Sequence, residues 1–160
     1  MEIGCGKGIL SKVLAAHTHQ LTIVEVDTYF SNYTKALLKD SPHITVINAD
    51  IRSQSIQEYS QTPVRIIANI PYHISTDIIT FIIQERAFIQ DATIMVQREY
   101  ADRLLASPGS KIYGSLSLFA QFYLDAAPCF EVSRNSFFPV PKVDSTVIYL
   151  SPRDEPLFDV

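Results

Sequence analysis

The sequence contains no tryptophan and only two cysteines among its 160 residues. Cys5 and Cys129 lie far apart and form no Cys-x-x-Cys motif, which argues against a disulfide scaffold and a cysteine zinc site. The longest nearly apolar stretch, Ile78–Ile83, is much shorter than the roughly 20 residues that cross a bilayer. Met1–Gly4 lacks the basic and then apolar segments of a signal peptide. These absences predict a cytoplasmic protein with no membrane span and no metal.

The charge balance is slightly acidic, with 13 Lys and Arg against 17 Asp and Glu. Nucleic-acid binding usually requires a surplus of Lys and Arg, so charge alone argues mildly against it. The hydrophobic content of 47% and charged content of 19% are ordinary for a globular protein and exclude a disordered tail or a coiled coil. At this length we expect residues 1–160 to form a single domain.

Short apolar runs alternate with amphipathic stretches along the chain, which is typical of an α/β sheet. The pattern predicts a doubly wound, mostly parallel sheet with an antiparallel strand near the C-terminus. In such a sheet the ligand binds beyond the carboxyl ends of the strands, so the residues just after each strand are the functional candidates. The predicted strands cover residues 1–3, 21–26, 44–47, 64–70, 92–96, 122–126 and 145–150.

Glu2–Gly8 places three of the five glycines in the chain between the first strand and the first helix. Such glycines permit a tight turn and a close approach of the backbone to a ligand. Their spacing, Gly-x-Gly-x-Gly, is one residue shorter than the dinucleotide fingerprint. With an acid two residues before the first glycine, this form is associated with S-adenosylmethionine methyltransferases. The alternative is a plain strand-to-helix turn.

Three acids follow the second and third strands. Glu25 stands near the spacing expected for a carboxylate that accepts hydrogen bonds from both hydroxyls of a ribose. Asp27 is better explained as the N-cap of the next helix. Asp50 can accept a hydrogen bond from the exocyclic amine of a bound adenine, and the alternative for it is an Asx turn in a loop.

Asn69-Ile70-Pro71-Tyr72 closes the fourth strand. The side-chain carbonyl of Asn69 and a nearby backbone carbonyl can both accept hydrogen bonds from one NH2 group. Pro71 stiffens the turn, and Tyr72 offers a flat face on which a base can stack. As an attacking nitrogen becomes positive, the two acceptors bind it more strongly and stabilise the transition state. The alternative is a turn with only a structural role.

These motifs make the chain resemble the ribosomal RNA adenine dimethyltransferase family of the KsgA type, which is related to the Erm resistance methyltransferases. The resemblance extends over nearly all of the chain, and its last three stretches are specific to the family. The matching stretches are Glu2–Gly8, Val24–Asp27, Asn48–Ile51, Asn69–Tyr72, Met95–Glu99, Lys111–Ser117 and Phe137–Ser145.

The resemblance implies a Rossmann-like fold, S-adenosylmethionine as cofactor, and methyl transfer to N6 of adenines in small-subunit (16S) ribosomal RNA. It implies that Asn69 and Tyr72 hold the target adenine, with Phe137 near the other face of the base. We also expect a monomer that acts on the small ribosomal subunit without a metal. The residues expected at the cofactor are Gly4, Gly6, Gly8, Glu25, Asp50 and Asn69.

The chain departs from the family at Cys5, where proline is common, and at Ile70, where leucine is usual. The N-terminal arm and the C-terminal helical domain of the family have no counterpart in this sequence. We therefore expect a catalytic domain truncated at both ends, which binds S-adenosylmethionine weakly.

Three alternatives remain open at this point. They are an Erm-type enzyme acting on large-subunit (23S) RNA, a nicotinamide oxidoreductase, and a non-catalytic fragment that binds ribosomal RNA. Lys111–Ser117 and Phe137–Ser145 favour the KsgA type over the Erm type. The glycine spacing and Asn69–Tyr72 oppose the oxidoreductase.

Several other residues are predicted to have only structural roles. Tyr29, Phe30 and Tyr33 recur at helical spacing and are expected to face the core. His17 and His19 lack a third ligand at suitable spacing, which favours a surface location over a metal site.

Overall fold

The computed structural model describes residues 1–155, which contain one seven-stranded sheet with helices packed on both faces. No helix in this range is long and apolar enough to cross a membrane. The strands are β1 (Glu2–Ile3), β2 (Leu21–Glu25), β3 (Ile44–Asn48), β4 (Val64–Asn69), β5 (Ile89–Gln97), β6 (Leu124–Val132) and β7 (Ser145–Pro152). The α-helices are α1 (Ile9–His17), α2 (Thr28–Leu37), α3 (Ser75–Gln84), α4 (Arg98–Leu104) and α5 (Ser115–Tyr123).

The strand order is β3-β2-β1-β4-β5-β7-β6. Strands β1 to β5 pair in parallel, whereas β7 is antiparallel to both of its neighbours. The predicted doubly wound, mostly parallel sheet is therefore confirmed. The chain runs outward from β1 through β2 to β3 and then returns to place β4 on the other side of β1. Such a reversal leaves a crevice at the carboxyl ends of the two strands, where ligands bind in sheets of this type.

Alternating side chains of the inner strands contribute to two separate cores. In β2, Ile23 belongs to a smaller core shared with α1, and Val24 belongs to a larger core shared with α3. In β4, Ile66 and Ala68 face the larger core, while Ile67 packs against the smaller one. Because helices cover both faces, nearly continuous apolar sequence is favourable in these strands.

The register of the inner strands decides which residues meet at the crevice. Ile3 pairs with Val24 of β2 on one side and with Ala68 of β4 on the other. As a result, the residues that directly follow Ile3, Val24 and Ala68 lie side by side, although they are remote in sequence. These residues are Gly4, Glu25 and Asn69.

The boundary between α5 and β6 differs from the prediction. A strand was expected at residues 122–126, but α5 continues to Tyr123 and β6 covers Leu124–Val132. The helix continues because Tyr123 packs edge-on against Phe119 one turn earlier, with ring centroids 6.1 Å apart. The guanidinium group of Arg86 also lies over the Tyr123 ring.

Two of the three aromatic residues of α2, Tyr29 and Tyr33, were predicted wrongly, whereas Phe30 is half-buried. Tyr29 is 71% exposed and Tyr33 is 46% exposed, so neither is a core residue. The buried residues of α2 are Ser31 and Thr34. The helix packs closely on the glycine loop, since a Cβ atom at Gly8 would lie only 2.8 Å from Leu37 Cδ2 and 3.4 Å from Thr34 Oγ1. The absence of a side chain at Gly8 permits this approach, and the two tyrosine rings stack on each other at the surface.

The buried carboxyl group of Glu2 generates a prediction about stability. Glu2 is only 1% exposed, and burial raises its pKa. The native state therefore binds this proton more tightly than the unfolded state, so stability decreases as the pH rises above the ordinary pKa. We expect Glu2→Gln to raise the thermal unfolding midpoint at pH 8 and to change it much less at pH 5. The exposed Glu58→Gln is the control, and a lower midpoint for Glu2→Gln at pH 8 would contradict the prediction.

Candidate active site

The loop between β1 and α1 is shaped by its glycines. Gly4, Gly6 and Gly8 have φ angles of +74°, +48° and +71°, a left-handed conformation that other residues rarely adopt. A Cβ atom at Gly4 or Gly6 would meet no heavy atom within 4 Å, so the space over these two residues is open. A ligand can therefore approach the loop backbone directly, and this geometry fits the cofactor expected from the sequence.

Glu25 connects the end of β2 to the glycine loop. Its Oε2 accepts a hydrogen bond from the Gly6 N–H at 3.0 Å, and its Oε1 accepts one from the Asp27 N–H at 2.9 Å. Oε1 has a second lone pair that can accept a hydrogen bond from a ligand hydroxyl, whereas Oε2 also lies 3.6 Å from the Cys5 thiol, a weak donor that a ligand hydroxyl would displace. Asp27 Oδ1 accepts a hydrogen bond from the Phe30 N–H at 3.1 Å, which confirms its predicted role as the N-cap of α2.

Asn48 is a residue of the site to which the sequence analysis assigned no role. It pairs with Glu25 across β2 and β3, and its Nδ2 donates to the backbone oxygens of Glu25 and Val26 at 2.9 and 3.0 Å. Its Oδ1 accepts a hydrogen bond from the Thr28 hydroxyl at 2.9 Å. Asn48 therefore stabilises the backbone that carries Glu25. The feature of the sequence that could have identified Asn48 was an amide side chain at the end of a strand.

Asp50 makes the Asx turn that was its alternative interpretation. Its Oδ1 accepts a hydrogen bond from the Arg52 N–H at 3.0 Å. The Arg52 side chain binds the same carboxylate, with Nη2 at 2.6 Å from Oδ2, and its Nη1 reaches Asp77 Oδ2 at 3.1 Å. These hydrogen bonds hold the pKa of Asp50 below its usual range and keep it ionised. The contact of Asp50 with adenine remains a prediction.

A cavity of about 330 Å³ opens where β4 ends. Asn69–Tyr72 forms one side of it, and the loop before β7 forms the other. Asn69, Tyr72 and Phe137 therefore lie in one cavity, although the sequence separates Phe137 widely from the other two. The lining residues are Asn69, Ile70, Pro71, Tyr72, Phe137, Phe138, Pro139 and Pro141.

The Tyr72 hydroxyl is bonded to a residue that the sequence analysis left without a role. Tyr72 Oη lies 2.9 Å from Ser145 Oγ, at the start of β7. Either oxygen can donate the hydrogen. The feature of the sequence that could have identified Ser145 was its position at the end of the stretch Phe137–Ser145.

The arginines beside the cavity have acidic partners. Arg98 Nη1 lies 3.8 Å from one carboxylate oxygen of Asp144, and Arg134 Nε lies 3.9 Å from the other. Within residues 1–155, no group of three or more His, Cys, Asp and Glu side chains is arranged to hold a metal ion.

A sequence profile described as "Ribosomal RNA adenine dimethylase" matches residues 1–160. The chain belongs to the ribosomal RNA adenine dimethylase family. The strand–glycine–helix turn is therefore the turn of this family and not that of a nicotinamide oxidoreductase.

Members of the family from streptococci match the whole chain. The ribosomal RNA small subunit methyltransferase A of Streptococcus equi subsp. zooepidemicus is 36% identical over 166 residues, covering 100% of this chain and 57% of that protein. The protein of the same name from Streptococcus pyogenes serotype M3 matches with the same identity and coverage. The chain thus spans little more than half the length of these curated relatives.

Solved structures confirm the Rossmann-like methyltransferase fold. The 23S rRNA methyltransferase ErmE superposes with a TM-score of 0.84 at 30% identity, covering 99% of this chain and 63% of that one. A dimethyladenosine transferase from Plasmodium falciparum superposes with a TM-score of 0.83 at 30% identity, covering 96% of this chain and 55% of that one.

Cys5, in the glycine loop, is buried. Its Sγ lies 3.3 Å from Thr34 Oγ1 and 3.6 Å from Glu25 Oε2. Burial raises the pKa of Cys5 to about 11. Cys129, in contrast, is exposed on β6.

We predict that the two thiols of the folded protein react very differently with iodoacetamide at pH 8. A pKa near 11 leaves about one Cys5 thiol in a thousand ionised, and only the thiolate is nucleophilic. Intact-mass measurement should show one adduct, at Cys129, and a second only after unfolding. The Cys129→Ser variant should show none while folded. Comparable modification of both cysteines would refute this account.

Proposed function

We propose that this chain transfers methyl groups from S-adenosylmethionine to N6 of adenines in small-subunit ribosomal RNA, giving N6,N6-dimethyladenine. The observation that carries the proposal is the register of β1 and β4. The pairing of Ile3 with Ala68 sets Gly4, at the start of the open glycine loop, beside Asn69, at the mouth of the cavity. A cofactor on the loop and a base in the cavity would then be neighbours, as direct transfer between them requires.

S-adenosylmethionine, when bound, supplies an electrophilic methyl group on its positively charged sulfonium. We assign its adenosine half to Glu25 and Asp50: Glu25 binds the ribose hydroxyls, and Asp50 accepts a hydrogen bond from the adenine amine. The full set of proposed cofactor contacts is Gly4, Gly6, Gly8, Glu25, Asp50 and Asn69.

In the proposed reaction the target adenine enters the cavity after leaving any stacked helix. Tyr72 stacks on one face of the base, and Phe137 lies near the other. The Asn69 side-chain carbonyl accepts a hydrogen bond from the N6 amine, so the nitrogen lone pair points toward the methyl group. The N–C bond forms as the S–C bond breaks, and the nitrogen becomes positive. Asn69 then binds it more strongly, and the proton leaves to solvent afterwards.

The choice of the small subunit rests on relatives that match every residue of the chain at 36% identity. Close superposition on ErmE supports a second candidate, methylation of 23S RNA. Unmethylated small and large ribosomal subunits, incubated separately with the chain and radiolabelled S-adenosylmethionine, discriminate the two. Label in adenine of the small subunit alone is the expected result. We further propose that the chain acts as a monomer in the cytoplasm.

Replacing the two acids after β2 should separate cofactor binding from stability. Glu25→Ala should weaken S-adenosylmethionine binding by roughly 1–3 kcal/mol, because two ribose hydrogen bonds are lost. Asp27→Ala should instead lower the free energy of unfolding by about 1 kcal/mol through loss of the N-cap. Calorimetric titration and denaturant unfolding measure the two effects. If Asp27→Ala abolished cofactor binding in a folded protein, the roles would be reversed.

Asn69→Ala should slow methyl transfer far more than it weakens RNA binding, because its bond to the amine tightens only in the transition state. The measurement is single-turnover methylation of small subunits at saturating S-adenosylmethionine, which removes any effect on cofactor affinity. Asn135→Ala, in the loop on the other side of the cavity, is the matched control. An unchanged single-turnover rate for Asn69→Ala would remove this residue from the mechanism.

A further inference from the structure

We propose that Ser145 is a positioning residue that fixes the Tyr72 ring opposite Phe137 and so sets the width of the slot for the target adenine. This inference rests on the proposed function, since it assigns the slot to a base. It concerns a residue outside the proposed set of cofactor contacts.

Ser145 is suited to hold another side chain because it cannot readily move. It is 0% exposed and is the first residue of β7. Its backbone pairs with Gln97 of β5 on one side and with Val132 of β6 on the other. A hydroxyl on a strand held from both sides is a fixed anchor, whereas Tyr72 lies in a short 3-10 turn after β4.

The hydrogen bond between the two hydroxyls has no substitute nearby. In residues 1–155, neither Tyr72 Oη nor Ser145 Oγ makes another hydrogen bond. Loss of either hydroxyl leaves the other without its partner, and an unpaired polar group in a buried position is unfavourable. The Tyr72 ring would then be free to adopt other χ1 and χ2 angles.

The loop that carries Phe137, on the other side of the slot, is held by the residue next to Ser145. Asp144, next to Ser145, accepts hydrogen bonds from the Arg134 N–H through Oδ1 and from the Arg98 N–H through its backbone oxygen, both at 3.0 Å. Arg134 Nη1 also donates to the Lys142 oxygen at 2.9 Å. These bonds close the loop that carries Phe137. The start of β7 therefore holds both aromatic walls, one through Asp144 and the other through Ser145.

In this arrangement the Tyr72 hydroxyl serves to position the Tyr72 ring, and it takes no part in proton transfer. The ring alone supplies stacking, but small displacements of a bound reactant can slow a transfer by as much as a hundredfold. Removing either hydroxyl should consequently have the same effect. Removing both should cost no more than removing one, because a single interaction is lost in each case.

The test is a double-mutant cycle of Ser145→Ala, Tyr72→Phe and the combined variant, read as single-turnover methylation of small subunits at saturating S-adenosylmethionine. We expect each single variant to be slowed about tenfold and the double variant also about tenfold. Cofactor affinity by calorimetric titration should be unchanged in all three. Thr146→Val, the removal of the next hydroxyl along β7, is the control and should keep the parental rate. A double variant slowed about a hundredfold, or an unaffected Ser145→Ala, would overturn the proposal.

A second measurement does not depend on turnover. The chain has eight tyrosines, so incorporation of 3-fluorotyrosine gives eight fluorine sites, and Tyr72→Phe identifies the resonance of Tyr72. Ser145→Ala should shift and narrow that resonance as the ring gains mobility, while Thr146→Val should leave it unchanged. If the wild-type chain methylates no ribosomal RNA but this shift occurs, the proposed function fails and the anchor stands. If methylation occurs and Ser145→Ala leaves the resonance unchanged, the anchor alone is refuted.

Discussion

The parallel pairing of β1 with its two neighbours is the constraint on which the site depends. Ile3 is fixed between Val24 and Ala68, so the three strands end in one row. Apolar layers on both faces of the sheet hold this register, because a slip of one residue would exchange the side chains of the two cores. The open glycine loop, the ribose-binding candidate Glu25 and the amine-binding candidate Asn69 are juxtaposed as a result.

A second constraint lies at the start of β7, which runs antiparallel to both of its neighbours. Its reversed direction brings its first residues to the edge where β4 and β5 end. Phe137 can therefore reach the cavity from a loop remote in sequence. The same reversal makes Asp144 and Ser145 available to hold the two walls. The cavity is thus lined from two directions: Asn69 and Tyr72 follow a parallel strand, and Phe137 comes from the loop before the antiparallel one.

Much of this architecture was predictable from local patterns. The strand and helix alternation gave the sheet type, and the N-cap role of Asp27 followed from a short acid before an amphipathic stretch. Patterns failed where a long-range contact overrides a local preference. Tyr29 and Tyr33 have helical spacing, but α2 buries Ser31 and Thr34 and leaves these two rings exposed. The end of α5 moved because Tyr123 packs under the guanidinium group of Arg86, a residue remote in sequence.

The sequence by itself determined the chemistry that is possible: which carboxylates, amides and rings follow which strands, and a glycine spacing that suits an open turn. Only the tertiary structure decided their partners. Arg52 reaches Asp77 of α3, Asn48 supports the backbone of Glu25, and Ser145 forms a hydrogen bond with Tyr72. No periodicity encodes these pairs, because each joins elements whose separation is set by strand order and register. Hydrogen bonds require partners within about 3 Å, and only the folded sheet brings such atoms together.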